Sequence, residues 1–160
     1  MNIFDQNIHT YYINYGSGWF NEHGGINTGF FATLSIGRCF VRGFQFTTAS
    51  NKPNRDPIEI TIEGSNSPSW LLKFGNSWTV IYNGTSGLKD DPGRKKTGPI
   101  QTFTNSLSFQ SYRVLVTKKR GIGNSVQYAE FTFHGDCRTG YNLEIHFRIQ
   151  LLLIINYIDF

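Results

Sequence analysis

Six short runs of β-branched and aromatic residues, each bounded by Gly, Asn, Pro or Ser, constrain this chain more than any other feature. They are CFVRGFQFTTA (39–49), IEITIEG (58–64), SWTVIYNG (77–84), TFTNSLSF (102–109), SYRVLVTK (111–118) and SVQYAEFTFHG (125–135). Such residues suit a pleated, half-buried surface, and the breakers between them mark turns. In the run Ile58, Glu59, Ile60, Thr61, Ile62, Glu63, apolar and polar residues alternate with the period of a strand. That phase predicts Ile58, Ile60 and Ile62 facing a core, with Glu59, Thr61 and Glu63 facing solvent. No stretch sustains a helical period, and neither an internal repeat nor a low-complexity linker is present. The expected fold is all-β, an antiparallel β-sandwich of two packed sheets.

A chain of 160 residues that is 39% hydrophobic can bury one sizeable core. Its net charge of +4 is gathered chiefly in Arg94, Lys95, Lys96 and in Lys118, Lys119, Arg120. Short basic runs of this kind are read first as solvated loop tips, although they could meet phosphate or an anionic glycan. No recognition helix, zinc-finger spacing or RNA-stacking signature is present, so nucleic acid is not an expected partner. The four His residues are scattered and no nucleophile, metalloprotease or phosphate-loop motif occurs, so the chain is not read as an enzyme.

Cys39 and Cys137 are too few for a disulfide-built scaffold and lack metal-site spacing. Whether they pair stays open at this level. The N-terminal MNIFDQNIHTYY lacks the basic and apolar regions of a signal peptide. The C-terminal IQLLLIINYIDF is apolar over about a dozen residues, short of the roughly 20 needed for a membrane-spanning helix.

The stretches GFQFTTASNKPNRDPIEITIEGSN, SWTVIYNGTSGL and SYRVLVTKKRG…SVQYAEFTFHG, in that order, give the chain its likeness. Over residues 3 to 135 it resembles the discoidin-like family, the galactose-binding-like jelly rolls that include coagulation factor 5/8 C-terminal domains and many carbohydrate-binding modules. The resemblance implies a jelly-roll domain over residues 1–135, truncated at its N-terminus relative to the family, and exported as family members are. Residues 136–160 have no counterpart in the family and are expected to be a divergent apolar tail, either an added segment or a read-through of noncoding sequence. In this frame Pro53 and Pro57 stiffen a loop between core strands, and Arg55 and Asp56 fix it by pairing with loop backbone or with each other.

The resemblance also aligns FDQNIHTYY with the Asp-Gly-Asn loop that holds calcium in many family members. Asp5, Asn7 and Thr10, with Glu130 of the last strand, are then the implied calcium ligands, with Gln6 standing where the family has Gly. Calcium takes six to eight oxygen ligands, which these residues can help to supply. The alternative is an Asx-type turn at Asp5 and Thr10 with an exposed Glu130.

Family ligands are usually read by loops at one end of the sandwich. YGSGWFNEHGG offers Trp19 and His23, and GLKDDPGRKKTGP offers Arg94. A sugar stacks on an aromatic face while polar groups fix its hydroxyls, making Trp19 the leading candidate; the same ring could instead cover a sandwich end. Trp70 and Trp78 border strands and are assigned to the core or its rim. The function implied is a non-catalytic binding module for a glycan or glycoconjugate. The alternatives are adhesion to a membrane surface or protein receptor by the same fold, or a degenerate gene fragment.

Overall fold

The computed structural model describes residues 3–16, 22–138, 144–148 and 156–158. Eleven strands in chain order make up the described fold: β1 (Tyr12–Asn14), β2 (Thr28–Thr33), β3 (Cys39–Thr47), β4 (Pro57–Ser65), β5 (Thr79–Thr85), β6 (Gln101–Thr102), β7 (Ser111–Lys119), β8 (Val126–Tyr128), β9 (Glu130–Arg138), β10 (Glu144–Arg148) and β11 (Asn156–Ile158). They form a five-stranded sheet, β11-β2-β7-β4-β5, a four-stranded sheet, β10-β9-β3-β6, and a β1-β8 ribbon. Every strand pairing is antiparallel.

Side chains directed inward from the two larger sheets make the core. Phe30, Ile60, Ile62, Val114 and Val116 come from the five-stranded sheet, and Val41, Phe44, Phe46, Phe131 and Phe133 from the four-stranded one; all are buried in one cluster. Phe44 stacks on Phe131, with ring centroids 6.0 Å apart, while Phe46 and Phe133 meet Phe131 edge-on at 4.8 and 4.7 Å. Offset and edge-to-face contacts of this kind suit the ring quadrupole and add to the area they bury.

The expected phase of β4 holds at its centre and breaks at both ends. Ile60 and Ile62 are fully buried, but Ile58 is half-buried and outside the core cluster. A register irregularity against β7 between Glu59 and Ile60 interrupts the alternation there. Glu63 is buried rather than solvated: Arg113 lies opposite it on β7 and donates through Nε at 2.9 Å. The Arg113 guanidinium in turn lies 4.8 Å from the Trp78 ring centroid, so the ion pair is sheltered on the outer face by an aromatic.

Cys39 and Cys137, opposite each other on β3 and β9, form a disulfide. The expected domain boundary at residue 135 falls within β9, which continues to Arg138. Beyond it, residues 144–148 pair with β9 and residues 156–158 pair with β2, so the described parts of the C-terminal segment belong to the two main sheets. TFTNSLSF contributes little strand: β6 ends at Thr102, and Phe109 meets Cys39 through an isolated bridge.

Candidate functional site

Loops gather at the end of the sandwich where β9 begins with Glu130, β4 begins with Pro57 and β7 ends with Lys119. The segment before β2 returns to this end: Gly25 donates to the Tyr15 carbonyl at 3.0 Å, and Gly123 donates to the Glu22 carbonyl at 3.3 Å. Gly25 is in the left-handed region at φ 84°, and a Cβ there would lie 2.3 Å from the Val126 nitrogen. Only glycine gives both that conformation and that approach. His23 is exposed on the same segment and its carbonyl accepts from Ile26 at 3.2 Å. Trp19 lies outside the described residues.

The NRDP stretch forms a short 3-10 turn, residues Pro53–Arg55, with Pro at its first position. Asp56, only 1% exposed, follows it. Arg94 forks onto that carboxylate, with Nη1 donating to Oδ1 at 2.8 Å and Nη2 to Oδ2 at 2.6 Å; Arg120 Nε stands 3.5 Å from Oδ2. Arg94 also donates to Asp91 at 2.6 Å, and these acids hold its own pKa well above the usual guanidinium value. Of the two expected pairings, that with loop backbone is seen, Arg55 and Asp56 donating their amides to the Lys52 and Pro53 carbonyls at 3.0 and 3.1 Å. The Asp56 carboxylate is taken by Arg94 rather than by Arg55, tying the 53–56 turn to the loop carrying Arg94. A planar guanidinium facing a carboxylate gives two parallel charge-assisted bonds. Arg94 thus reaches the candidate end of the molecule already committed to Asp56, while keeping part of its side chain in solvent.

The N-terminal loop closes against β9. Phe131 donates to the Ile3 carbonyl at 3.0 Å. Asp5 Oδ1 accepts from the Asn7 amide at 2.9 Å, Asn7 Oδ1 accepts from His9 at 3.0 Å, and Thr10 Oγ1 lies 3.4 Å from both Asp5 oxygens. Glu130 is 8% exposed, and its Oε1 is buried with no hydrogen-bond partner. Burial pushes the Glu130 pKa up, aided by the neighbouring Asp5 carboxylate, to about 7, although the Gln6 and Asn7 amides favour the ionised form. Two carboxylates held together with an orphaned oxygen and neutral oxygens nearby fit a hard cation by donor chemistry. Gln6 sits at φ 59°, the left-handed region in which glycine is free of strain and a Gln is not. Among the described residues no group of three His, Cys, Asp or Glu side chains converges, so most oxygens of a bound calcium would come from backbone, amide, hydroxyl or water.

The opposite end holds what sequence reasoning missed. Trp78 is half-buried, donating from Nε1 to the Leu72 carbonyl at 2.9 Å, as expected of a core-rim residue. Trp70 is 67% exposed, contrary to its assignment to core or rim. The connection between β4 and β5 is far longer than a hairpin turn and contains two 3-10 turns. It inserts Leu72 and leaves Trp70 and Phe74 outside, with Lys73 Nζ 5.2 Å from the Phe74 ring centroid. The signal that could have found this is the length of that connection, too long to keep every apolar residue against the sheet.

These two sheets, their order and the loop-bearing ends define the antiparallel jelly roll of the galactose-binding-like class. Among solved structures the chain is similar to the family 32 carbohydrate-binding module of Clostridium perfringens NanJ in complex with galactose, with a TM-score of 0.54 and 16% identity over 81% of this chain and 79% of that one. It is also similar to CpGH89CBM32-5 from Clostridium perfringens in complex with GalNAc-beta-1,3-galactose, with a TM-score of 0.53 and 17% identity over 79% and 76% of the two chains. No family model and no curated protein matches the chain.

Proposed function

We propose that this chain is a non-catalytic carbohydrate-binding module that takes a galactose-type glycan through the loops around the 53–56 turn. The observation that carries the reading is the shared fold with two modules solved with galactose and with GalNAc-beta-1,3-galactose. In this reading Trp19 is the stacking platform, His23 reaches the sugar hydroxyls, and Arg94 borders the site while anchored to Asp56. Calcium, held by Asp5, Asn7, Thr10 and Glu130, ties the N-terminal loop to β9 and has a structural role.

Titration calorimetry with galactose and GalNAc-beta-1,3-galactose tests it. Binding should be weak, since a shallow groove buries little of a sugar. Trp19→Ala and His23→Ala should each weaken it at least tenfold without moving the melting temperature. A folded, calcium-loaded protein that binds neither sugar overturns the reading. Adhesion to a lipid or protein surface is a second reading, favoured by the exposed Trp70 and Phe74 beside Lys73. Sedimentation with anionic liposomes, lost in Trp70→Ala, is the outcome that would support it.

A further inference from the structure

The candidate end contains two cations, Arg55 and Lys119, that form no ion pair with an acid among the described residues. Arg55, half-buried, donates from Nη2 to Asn124 Oδ1 at 2.9 Å and from Nη1 to Gln127 Oε1 at 3.4 Å, both neutral amides. Its Nε is buried with no acceptor. Lys119 is 7% exposed, and its Nζ donates only to carbonyls, to Gly24 at 2.8 Å and to Gly123. Asp56 is next to Arg55 in the chain, but its two oxygens are engaged by Arg94, with Arg120 close by. Among the described residues no carboxylate forms an ion pair with either Arg55 or Lys119.

Removing two like charges from water beside each other is unfavourable unless something of opposite sign compensates. The mutual effect is visible in Lys119, whose pKa is lowered by burial first and by the charge of Arg55 second. Gln127 is held by Asn51, with Nε2 donating to Asn51 Oδ1 at 2.9 Å, so the amides around Arg55 are themselves fixed in orientation. Lys119 also holds the carbonyl of Gly24, the residue after His23, which joins this pair of cations to the proposed sugar-binding loop.

We infer that Arg55 and Lys119 form an anionic subsite, and that the glycan taken by this module carries a carboxylate, as a uronic or sialic acid does. The inference rests on the carbohydrate-binding reading and narrows it from neutral to acidic sugars. An acidic sugar would supply the missing counter-charge, with the guanidinium of Arg55 offering the planar donor geometry that suits a carboxylate.

The matched probes are galactose, galacturonic acid, and the methyl ester of galacturonic acid, which keeps the shape and removes the charge. With the native protein at pH 7 and low salt, galacturonate should bind at least tenfold more tightly than the other two. That advantage should shrink as salt rises, because screening weakens a partly exposed charge pair. Arg55→Gln should remove the preference, bringing the affinity for galacturonate down to that for its methyl ester. Equal affinity for galacturonate, its ester and galactose overturns the acidic subsite and leaves the carbohydrate reading standing. Binding of none of the three overturns both. The ester comparison uses the native chain, so it decides the matter even if Arg55→Gln does not fold.

Discussion

At the scale of single residues, the fold places charge where it must be compensated, and it does so in several ways. Glu63 meets Arg113 under Trp78, and Asp56 meets Arg94, so each of these two buried carboxylates has a guanidinium. Glu130 has instead another carboxylate, Asp5, and the site asks for a cation. If calcium binds only the folded chain, stability should rise by about 2.7 kcal/mol at a hundredfold excess over the dissociation constant. Glu130→Gln should abolish that rise in melting experiments, and curves indifferent to both calcium and a chelator would end the metal reading. Tyr112 gives a second test. It is fully buried, donates its hydroxyl to the Cys39 carbonyl and accepts from the Val41 and Phe109 amides, both at 3.3 Å. Burial outweighs those two amides and pushes its pKa up from 10.0 to about 12. The folded state therefore keeps this proton after the unfolded chain has released it, and stability must fall as pH rises from 10 towards 12. One proton of difference gives a slope of about 1.4 kcal/mol per pH unit. Denaturant titrations across that range should show the native slope exceeding that of Tyr112→Phe by about this amount, and equal slopes would show that Tyr112 ionises as freely as in the unfolded chain.

At the scale of elements, the central strand β4 carries the clearest energetic expectation. Ile60, on β4 between β5 and β7, is fully buried in the core, so Ile60→Ala should destabilise by about 2 to 5 kcal/mol, read from a denaturant midpoint. A change below half a kcal/mol would mean that the site collapses around the smaller side chain. Strands such as β4, β7 and β9 were legible because alternation and β-branching report a buried face directly. β2, TGFFAT, was not, since five of its six residues are buried and it therefore shows no alternation. The burial of Glu63 was equally hidden, because an acid on the outer face looks solvated until its partner strand supplies Arg113 and the loop supplies Trp78. In the candidate site, the Asp5 and Glu130 association came from the family resemblance, whereas the grouping of Arg55, Lys119 and Gln127 depends on a turn, the end of β7 and the short strand β8 meeting. Sequence spacing carries no trace of such a meeting.

At the scale of the whole molecule, the long-range closure rests on pairings that span most of the chain. β3 and β9 lie side by side, and the Cys39–Cys137 bridge, spanning a sequence separation of 98, joins one end of their ladder covalently. Such bridges persist in oxidising compartments and act mainly by restricting the unfolded chain, with a typical contribution of about 2 to 5 kcal/mol on removal. The β3–β9 ladder itself has backbone hydrogen bonds and a packed aromatic core that do not require the sulfurs. The double variant Cys39→Ser with Cys137→Ser should therefore keep its β-type circular dichroism at 25 °C while its guanidinium midpoint falls. If the bridge acts on the unfolded ensemble, the released chain will also expose more surface, so the dependence of stability on denaturant should steepen. The unfolding rate should change little, because the folded state and its ladder are left as they were. A large increase in unfolding rate at an unchanged denaturant dependence would place the effect in the folded state, and would show that the β3–β9 ladder does not hold without its covalent link.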